Sequence, residues 1–318
     1  MFTPKITRHY VDSPKVDFNS CREMKLYLEE PKAMYVGAPG KHGYLNLGFE
    51  LNPEGKSILR ELDRRAPLIV QQELYFDEKL PGMPCVYILS SGGPNVDGDR
   101  YQQNITVKKN AMAYVSTGAA TKLATMKYNY SGMIQNITLE EGAYLEFLPE
   151  PTIPHAHTRF ACDTKMTVHP TATAIYSEIY MAGRKYHNNE LYQFDIISVA
   201  THGERPDGEQ LFREKFIIRP EMFNVRETGT MGRFDVFANV VVMTPPDKAG
   251  EIYEATNAFY DTRKMLAAGI THLPNNAGLL FKVLGMEPDP VKAVVREFCS
   301  NVRQAVKGVP LPAEFPWR

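Results

Sequence analysis

Long apolar runs, nucleotide-binding glycine patterns, paired cysteines and net charge are all missing from this 318-residue chain, and each absence removes a class of function. No run of about 18 apolar residues occurs, so no membrane-spanning helix is expected. The opening MFTPKITRHYVDSPK holds no apolar stretch of the kind a secretory signal needs, which points to the cytoplasm. A formal charge of −1 leaves no basic field to draw the chain to phosphate backbones or anionic lipid, so neither nucleic acid nor membrane is expected as a partner. The four cysteines (Cys21, Cys85, Cys162, Cys299) have no CxxC spacing and suit reduced thiols better than a disulfide framework or a zinc knuckle. Gly55-Lys56-Ser57 copies the end of a phosphate loop, but the earlier glycine that lets backbone amides curl around phosphate is replaced by Glu50. No GxGxxG or GxSxG pattern offers dinucleotide binding or a nucleophile elbow.

What is present is an ordinary globular composition, 43% apolar and 23% charged, with an internal repeat. NITVKKNAMAYVST begins at Asn104, NITLEEGAYLEFLP at Asn136 and KMTVHPTATAIYSE at Lys165. Each reads as an apolar-Thr-apolar strand, a short turn, and an alanine entering a second strand. Thr106, Thr138 and Thr167 share one column and Ala111, Ala143 and Ala172 another, at a period of about 30 residues that signals stacked supersecondary units. Their strands are therefore expected side by side and parallel, with the threonines in register. GYLNLGFELN, APLIVQQELYF and PCVYILSSGG upstream also have strand patterning, so residues 36–230 read as a layered β body. SILRELDRRA (from Ser57) conflicts with this, because its composition favours a helix; tertiary context decides such cases.

After Gly232 the pattern changes. RFDVFANVVVM reads as a strand, PPDKAGEIYEATNAFYDTRKMLAAG as a helix closed by Gly269, GLLFKVLG as a strand and DPVKAVVREFCSNVRQAVKG as a second helix. The last places Val291, Val294, Val295, Phe298, Val302 and Val306 on one stripe, with Pro290 in the first turn and Gly308 at the end. The expected organisation is a polar N-terminal extension (1–35) lying over the surface, the β body (36–230), a C-terminal strand-helix-strand-helix unit packed tightly on it (231–308), and a Pro-rich tail (309–318) whose Trp317 docks back.

Carboxylates inside apolar strands carry the chemical signal. Glu146 (YLEFL), Glu178 (IYSEIYM) and Glu214 (FREKFII) interrupt strands, and such groups are buried only when paired or liganded. Each also fits the solvated face of its strand. Two such acids across a cleft would suit acid-base work on a glycosidic bond, so a β-rich glycoside-active enzyme is one reading. His155 and His157, two apart on an extended segment, would point the same way and are weak candidates for a nickel or zinc ligand pair.

GGPNVDGD (Gly92–Asp99), TGAATK (Thr117–Lys122) and GAYLEFLPEPTIPHAHTRF (Gly142–Phe160), in this order, together with AGR (Ala182–Arg184), resemble the UreD/UreH family of urease accessory proteins. The resemblance runs from about Gly43 to Gly308. It implies a mainly β fold, a two-layered, helix-like stack of sheets with helices near the C-terminus, and a non-enzymatic maturation scaffold. The implied partners are apo-urease, a UreF-type accessory protein and, through the complex, a UreG-type GTPase. No cofactor is implied, only nickel in transit. Matching positions carry over Asp99, Glu178 and Glu214 as acids that border a water-filled nickel path, with Thr121 and Lys122 as supporting polar groups. Relatives commonly have an aromatic where this chain has His155, so the histidines match no family ligand pattern. The N-terminal extension inherits no role.

Overall fold

The repeat is the frame on which the molecule is built. The computed structural model describes residues 21–29 and 42–313. The chain begins with β1 (His42–Leu51) and β2 (Ser57–Arg65), then β3 (Leu68–Ile69) and β4 (Cys85–Ser90). Three turns of a coil follow: β5 (Arg100–Val107) with β6 (Met112–Thr117) and β7 (Thr121–Leu123); β8 (Ser131–Leu139) with β9 (Tyr144–Phe147) and β10 (Thr152–Pro154); β11 (Arg159–Val168) with β12 (Thr173–Met181). A small hairpin, β13 (Gly183–Arg184) and β14 (Glu190–Leu191), leads to β15 (Ile196–Glu204) and β16 (Gln210–Ile218). The C-terminal part is β17 (Val236–Met243), α1 (Pro246–Glu254), β18 (Phe259–Asp261), β19 (Leu266–His272), β20 (Gly278–Gly285) and α2 (Pro288–Lys307).

Successive strands alternate between two facing sheets. The first has 7 strands in the order β16-β15-β11-β8-β5-β1-β2. The second has 11, on the path β18-β19-β20-β17-β12-β9-β6-β4-β3, with β10 beside β12 and β7 beside β10. Strands β5, β8 and β11 are parallel neighbours in which Thr138 is the partner of both Thr106 and Thr167, as the repeat predicts. The threonines face outward. The alternate residues Ile105, Ile137 and Met166 face inward and pack on Leu145, Phe147 and Ala174 of the opposite sheet. The repeated alanines Ala111, Ala143 and Ala172 are buried where each coil crosses between layers. The fold is therefore mainly β and two-layered, with two α-helices among the described residues, both near the C-terminus, as expected.

The strand Ser57–Arg65 overrides its helical composition by pairing antiparallel with β1 and burying Leu59 and Leu62. Its Arg and Glu residues lie at the edge of the first sheet as the described strands form it, where charge discourages further strand pairing. The expected long helix from Pro245 to Gly269 is corrected. Only Pro246–Glu254 is helical, and the rest forms the β18–β19 hairpin, with Gly269 inside a strand. Ala249 and Ile252 are the buried residues of α1, no apolar stripe continues it, and Thr256 Oγ1 donates to the Ile252 carbonyl (2.7 Å). Strand β17 pairs with β12 and β20 with β17, so the C-terminal strands extend the body's second sheet. Helices α1 and α2 cover its outer face through Ile252, Val291, Val295, Phe298 and Val302. Gly308 ends α2 in the left-handed conformation (φ 74°), the position that favours glycine. Part of the N-terminal extension is anchored: Cys21 and Met24 pack against Tyr130, Ala161 and Ile196, and Glu23 pairs with Lys215 at 2.7 Å. Trp317 lies outside the described residues. Among the described residues no helix is long and apolar enough to cross a membrane.

Candidate functional site

Strand register puts one polar layer inside the sandwich. Gln103, Gln135, Thr164, Thr201 and Glu214 are successive Cα partners across β5, β8, β11, β15 and β16. Opposite them on the second sheet, Glu178 is the partner of Asn239, and Asn239 of Lys282. Because side chains alternate along a strand, a shared row means a shared face, and for these residues it is the inner one. Apolar layers lie on both sides: Ile105, Ile137, Met166, Phe212 and Val241 on one, Phe160, Val199, Tyr180, Phe216 and Phe237 on the other.

Hydrogen bonds run through the layer. Gln135 Nε2 donates to Gln103 Oε1 (3.0 Å), and Thr164 Oγ1 donates to Gln135 Oε1 (2.9 Å). The Tyr176 hydroxyl lies 2.8 Å from Gln135 Oε1 and 2.9 Å from Glu178 Oε1. It has one proton, so it serves one acceptor at a time. An ionised Glu178 competes for that proton; a protonated Glu178 can itself donate to the Tyr176 oxygen and release the hydroxyl to Gln135. Burial raises the Glu178 carboxyl from 4.5 to about 7, against the pull of hydrogen bonds from Tyr176 and Asn239. Nearby Glu214 raises it further and Lys282 lowers it. At neutral pH the group is divided between its two protonation states.

Two cavities adjoin this layer. A small one of about 50 Å³ touches Glu178, Tyr176, Gln135 and Cys162. A larger one of about 330 Å³ shares Gln103, Thr117, Thr121 and Met133 with it and reaches the surface at exposed Ser90, Gly93 and Lys122. The motifs GGPNVDGD and TGAATK meet here, through Gly93 and Asn95 from the first and Thr117–Lys122 from the second. At the opposite end the layer closes on Glu214, partly exposed at 24%, which is ion-paired with Lys282.

The structure separates the acids that the sequence grouped. Glu178 and Glu214 contribute to one layer. Asp99, fully buried, sits before β5, where its Oδ2 accepts from the Val96 amide (3.0 Å) and the Tyr101 hydroxyl (2.8 Å). It lines neither cavity, whereas Tyr101 lines the larger. Thr121 borders both cavities and Lys122 the mouth of the larger. Glu146 points to the other face of the second sheet, toward α2, and is held by Arg303. The glycoside reading fails on this geometry. Glu146 and Glu178 lie on opposite faces of one sheet, Glu214 is paired with Lys282 and lines neither cavity, no carboxylate lines the larger cavity, and the cavity at Glu178 is far below the several hundred Å³ of ordinary ligand pockets.

The histidine geometry is also corrected. His155 and His157 occupy a turn rather than an extended segment, and His157 has φ 59° with its Nδ1 3.1 Å from Asp195 Oδ1. Burial, with the charge of Arg184, lowers the His155 imidazole. Among the described residues no three His, Cys, Asp or Glu side chains are grouped to hold a metal. All four cysteines are buried and unbridged. Sequence reasoning missed Gln103, Gln135, Thr164, Asn239 and Lys282, although the first three occupy one column of the repeat, each three residues before the aligned threonine.

Comparison with known proteins gives one consistent result. The model of the family described as UreD urease accessory protein matches residues 41–318. Urease accessory protein UreD 2 of Brucella suis biovar 1 (strain 1330) is 46% identical over 297 residues, 93% of this chain and 98% of that protein. The protein of the same name from Brucella abortus (strain 2308) is 46% identical over 299 residues, with the same shares covered. Urease accessory protein UreD of Yersinia pseudotuberculosis serotype O:1b (strain IP 31758) is 44% identical over 297 residues, 93% of this chain and 92% of that protein.

Proposed function

The chain belongs to the UreD urease accessory protein family, its role lies in urease maturation rather than in catalysis, and we propose that it carries out that role as a scaffold whose inner polar layer is a transit path for nickel. In this reading the protein works in the cytoplasm, binds apo-urease and a UreF-type accessory protein, and meets a UreG-type GTPase through that complex. Nickel is cargo and no cofactor is retained.

The observation that carries the proposal is Glu178: a buried carboxylate that borders a cavity, has neutral hydrogen-bonding neighbours rather than a direct ion pair, and stands between a surface-opening cavity and a partly exposed second acid. A borderline dication accepts oxygen ligands from carboxylate, amide and hydroxyl groups. Weak sites in series let an ion enter and leave, where one strong site would keep it. Gln103, Gln135 and Thr164 supply neutral oxygens along the layer, and Glu178 and Glu214 supply the charge. Thr121 and Lys122 border the entrance, and Asp99 positions Tyr101 on its wall. For a dication to use Glu178, the carboxyl must first give up its proton.

The experiment is urease activity and bound nickel after maturation of apo-urease in a reconstituted system, with Glu178→Gln, Glu214→Gln and the double variant, alongside a pull-down. Activation should fall while the complex still forms. Full activation by the double variant in an intact complex would remove the polar layer from the mechanism.

A further inference from the structure

The transit reading leaves Lys282 unexplained. It is a basic residue on the inner face of the second sheet, in the same row as Glu178 and Asn239, and its ammonium is paired with Glu214, which arrives from the first sheet. Its side chain is 53% exposed, so the fold does not need the pair for burial, and surface ion pairs add little stability. The position matters for charge. Without Lys282, Glu214 at the partly exposed end of the layer would carry no cation, on the same inner face as the buried Glu178 and the neutral oxygens of Gln135, Thr164 and Thr201.

Two ionised carboxylates with amide and hydroxyl oxygens near them make a good oxygen-ligand set for a divalent transition metal, and a good set is a trap. We propose that Lys282 is the release residue of the layer: a tethered cation that occupies Glu214 when no metal is present and competes with an entering dication for it, keeping the acid pair a weak, transient site. This rests on the transit reading and adds to it a residue that sets how tightly the cargo is held. The ammonium works in two ways. It takes a ligand oxygen, and its positive charge, set at the partly exposed end of the layer, repels a dication that approaches Glu214. The three groups sense one another electrostatically, since Glu178 responds to Glu214 and Lys282 in opposite directions. Glu150, which lines the small cavity with Glu178, is already paired with Lys292 at 2.9 Å, and the remaining neighbours leave the competition for Glu214 to Lys282. Thr164 and Thr201 on β11 and β15 and Asn239 on β17 are neutral, Cys162 is held as a thiol by burial, and Lys215 on β16 is turned to the outer face, where it pairs with Glu23.

The test is calorimetric titration of the full chain with nickel alone at pH 7.5, using the wild type, Lys282→Met, Lys282→Arg, and Lys282→Met combined with Glu214→Gln. Lys282→Met should bind one equivalent of nickel at least tenfold more tightly than the wild type. Lys282→Arg, which keeps the charge, should stay weak, and adding Glu214→Gln should erase the gain. An unchanged affinity in Lys282→Met overturns the proposal, as does a gain that survives Glu214→Gln, because the metal would then be held elsewhere. The titration needs no urease, so it is separate from the transit reading. If the Glu178 and Glu214 variants fail to mature urease while Lys282→Met gains no affinity, only the role of Lys282 falls.

Discussion

Glu146 and Arg303, 157 residues apart in the chain, meet in the solvent-free space between the second sheet and α2, where Arg303 Nε and Nη2 donate to the two Glu146 carboxylate oxygens at 2.6 and 3.0 Å. Asp77 takes a further bond from the same guanidinium, and the Tyr144 hydroxyl donates to Glu146 Oε1 at 2.6 Å. An isolated carboxylate in this position would be too poorly solvated to stay charged, so the guanidinium is what allows Glu146 to interrupt an apolar strand. The acid thus serves assembly, fastening the last helix to the coil.

Replacing Arg303 by Met should destabilise the protein by about 3–5 kcal/mol, because two buried carboxylates lose their shared cation. Urea unfolding checks this. A loss below about 1 kcal/mol would mean that the cluster is hydrated in solution and that α2 is held by its apolar stripe alone.

Glu178→Gln should change stability in a pH-dependent way. The folded carboxyl is raised to about 7 from 4.5, so between those values the folded protein binds more protons than the unfolded chain. The stability associated with this group is full below 4.5 and is lost as pH rises through 7. Glutamine does not titrate, so the variant should gain on the wild type as pH rises, by up to about 3 kcal/mol at pH 8. Thermal melts at pH 5 and pH 8 decide it, since an equal Tm difference at both would mean that Glu178 is solvated and titrates normally.

Gln135→Leu should cost about 1–3 kcal/mol for each polar group it orphans. Gln103 loses a donor, and Thr164 and Tyr176 lose an acceptor. With Gln135 gone, the Tyr176 proton is free for Glu178, which favours the ionised acid, so the pH dependence described above should move to lower pH. Melts of this variant across the same range, with no such movement, would show that Tyr176 does not link the two groups.

Two glycines separate conformational strain from steric contact. Gly183 in the AGR segment has φ 147°, and a Cβ there would sit 1.8 Å from the Glu190 carbonyl oxygen, while Arg184 grips the Glu190 side chain at 2.6 and 2.7 Å. Gly208 has φ 91° with nothing within 4 Å of a Cβ. Gly208→Ala should cost on the order of 1 kcal/mol, and Gly183→Ala distinctly more, with opening of the β13–β14 hairpin. Similar denaturation midpoints for the two would remove the backbone approach as the reason for glycine in that segment.

Local pattern alone determined a good part of this protein. The recurrence of threonine and alanine columns fixed the parallel stacking of β5, β8 and β11, because the same short pattern can bury its apolar face only against its own copies. The stripe from Val291 to Val302, closed by Gly308, fixed α2 for the same reason of periodicity. The family motifs also stand in the chain as linear signals. Tertiary structure decided what each acid does. Glu146 and Glu178 look alike in sequence, each a carboxylate in an apolar strand, yet one sits at helix-facing parity opposite Arg303 and the other at sheet-facing parity opposite the glutamines. Parity acquires meaning only when the second layer closes over one face, and that depends on register across strands far apart in the chain. The same holds for the strand Ser57–Arg65, made β by its partner, and for Lys282, an ordinary lysine in its own strand that becomes the counter-ion of Glu214 only where the two sheets face each other.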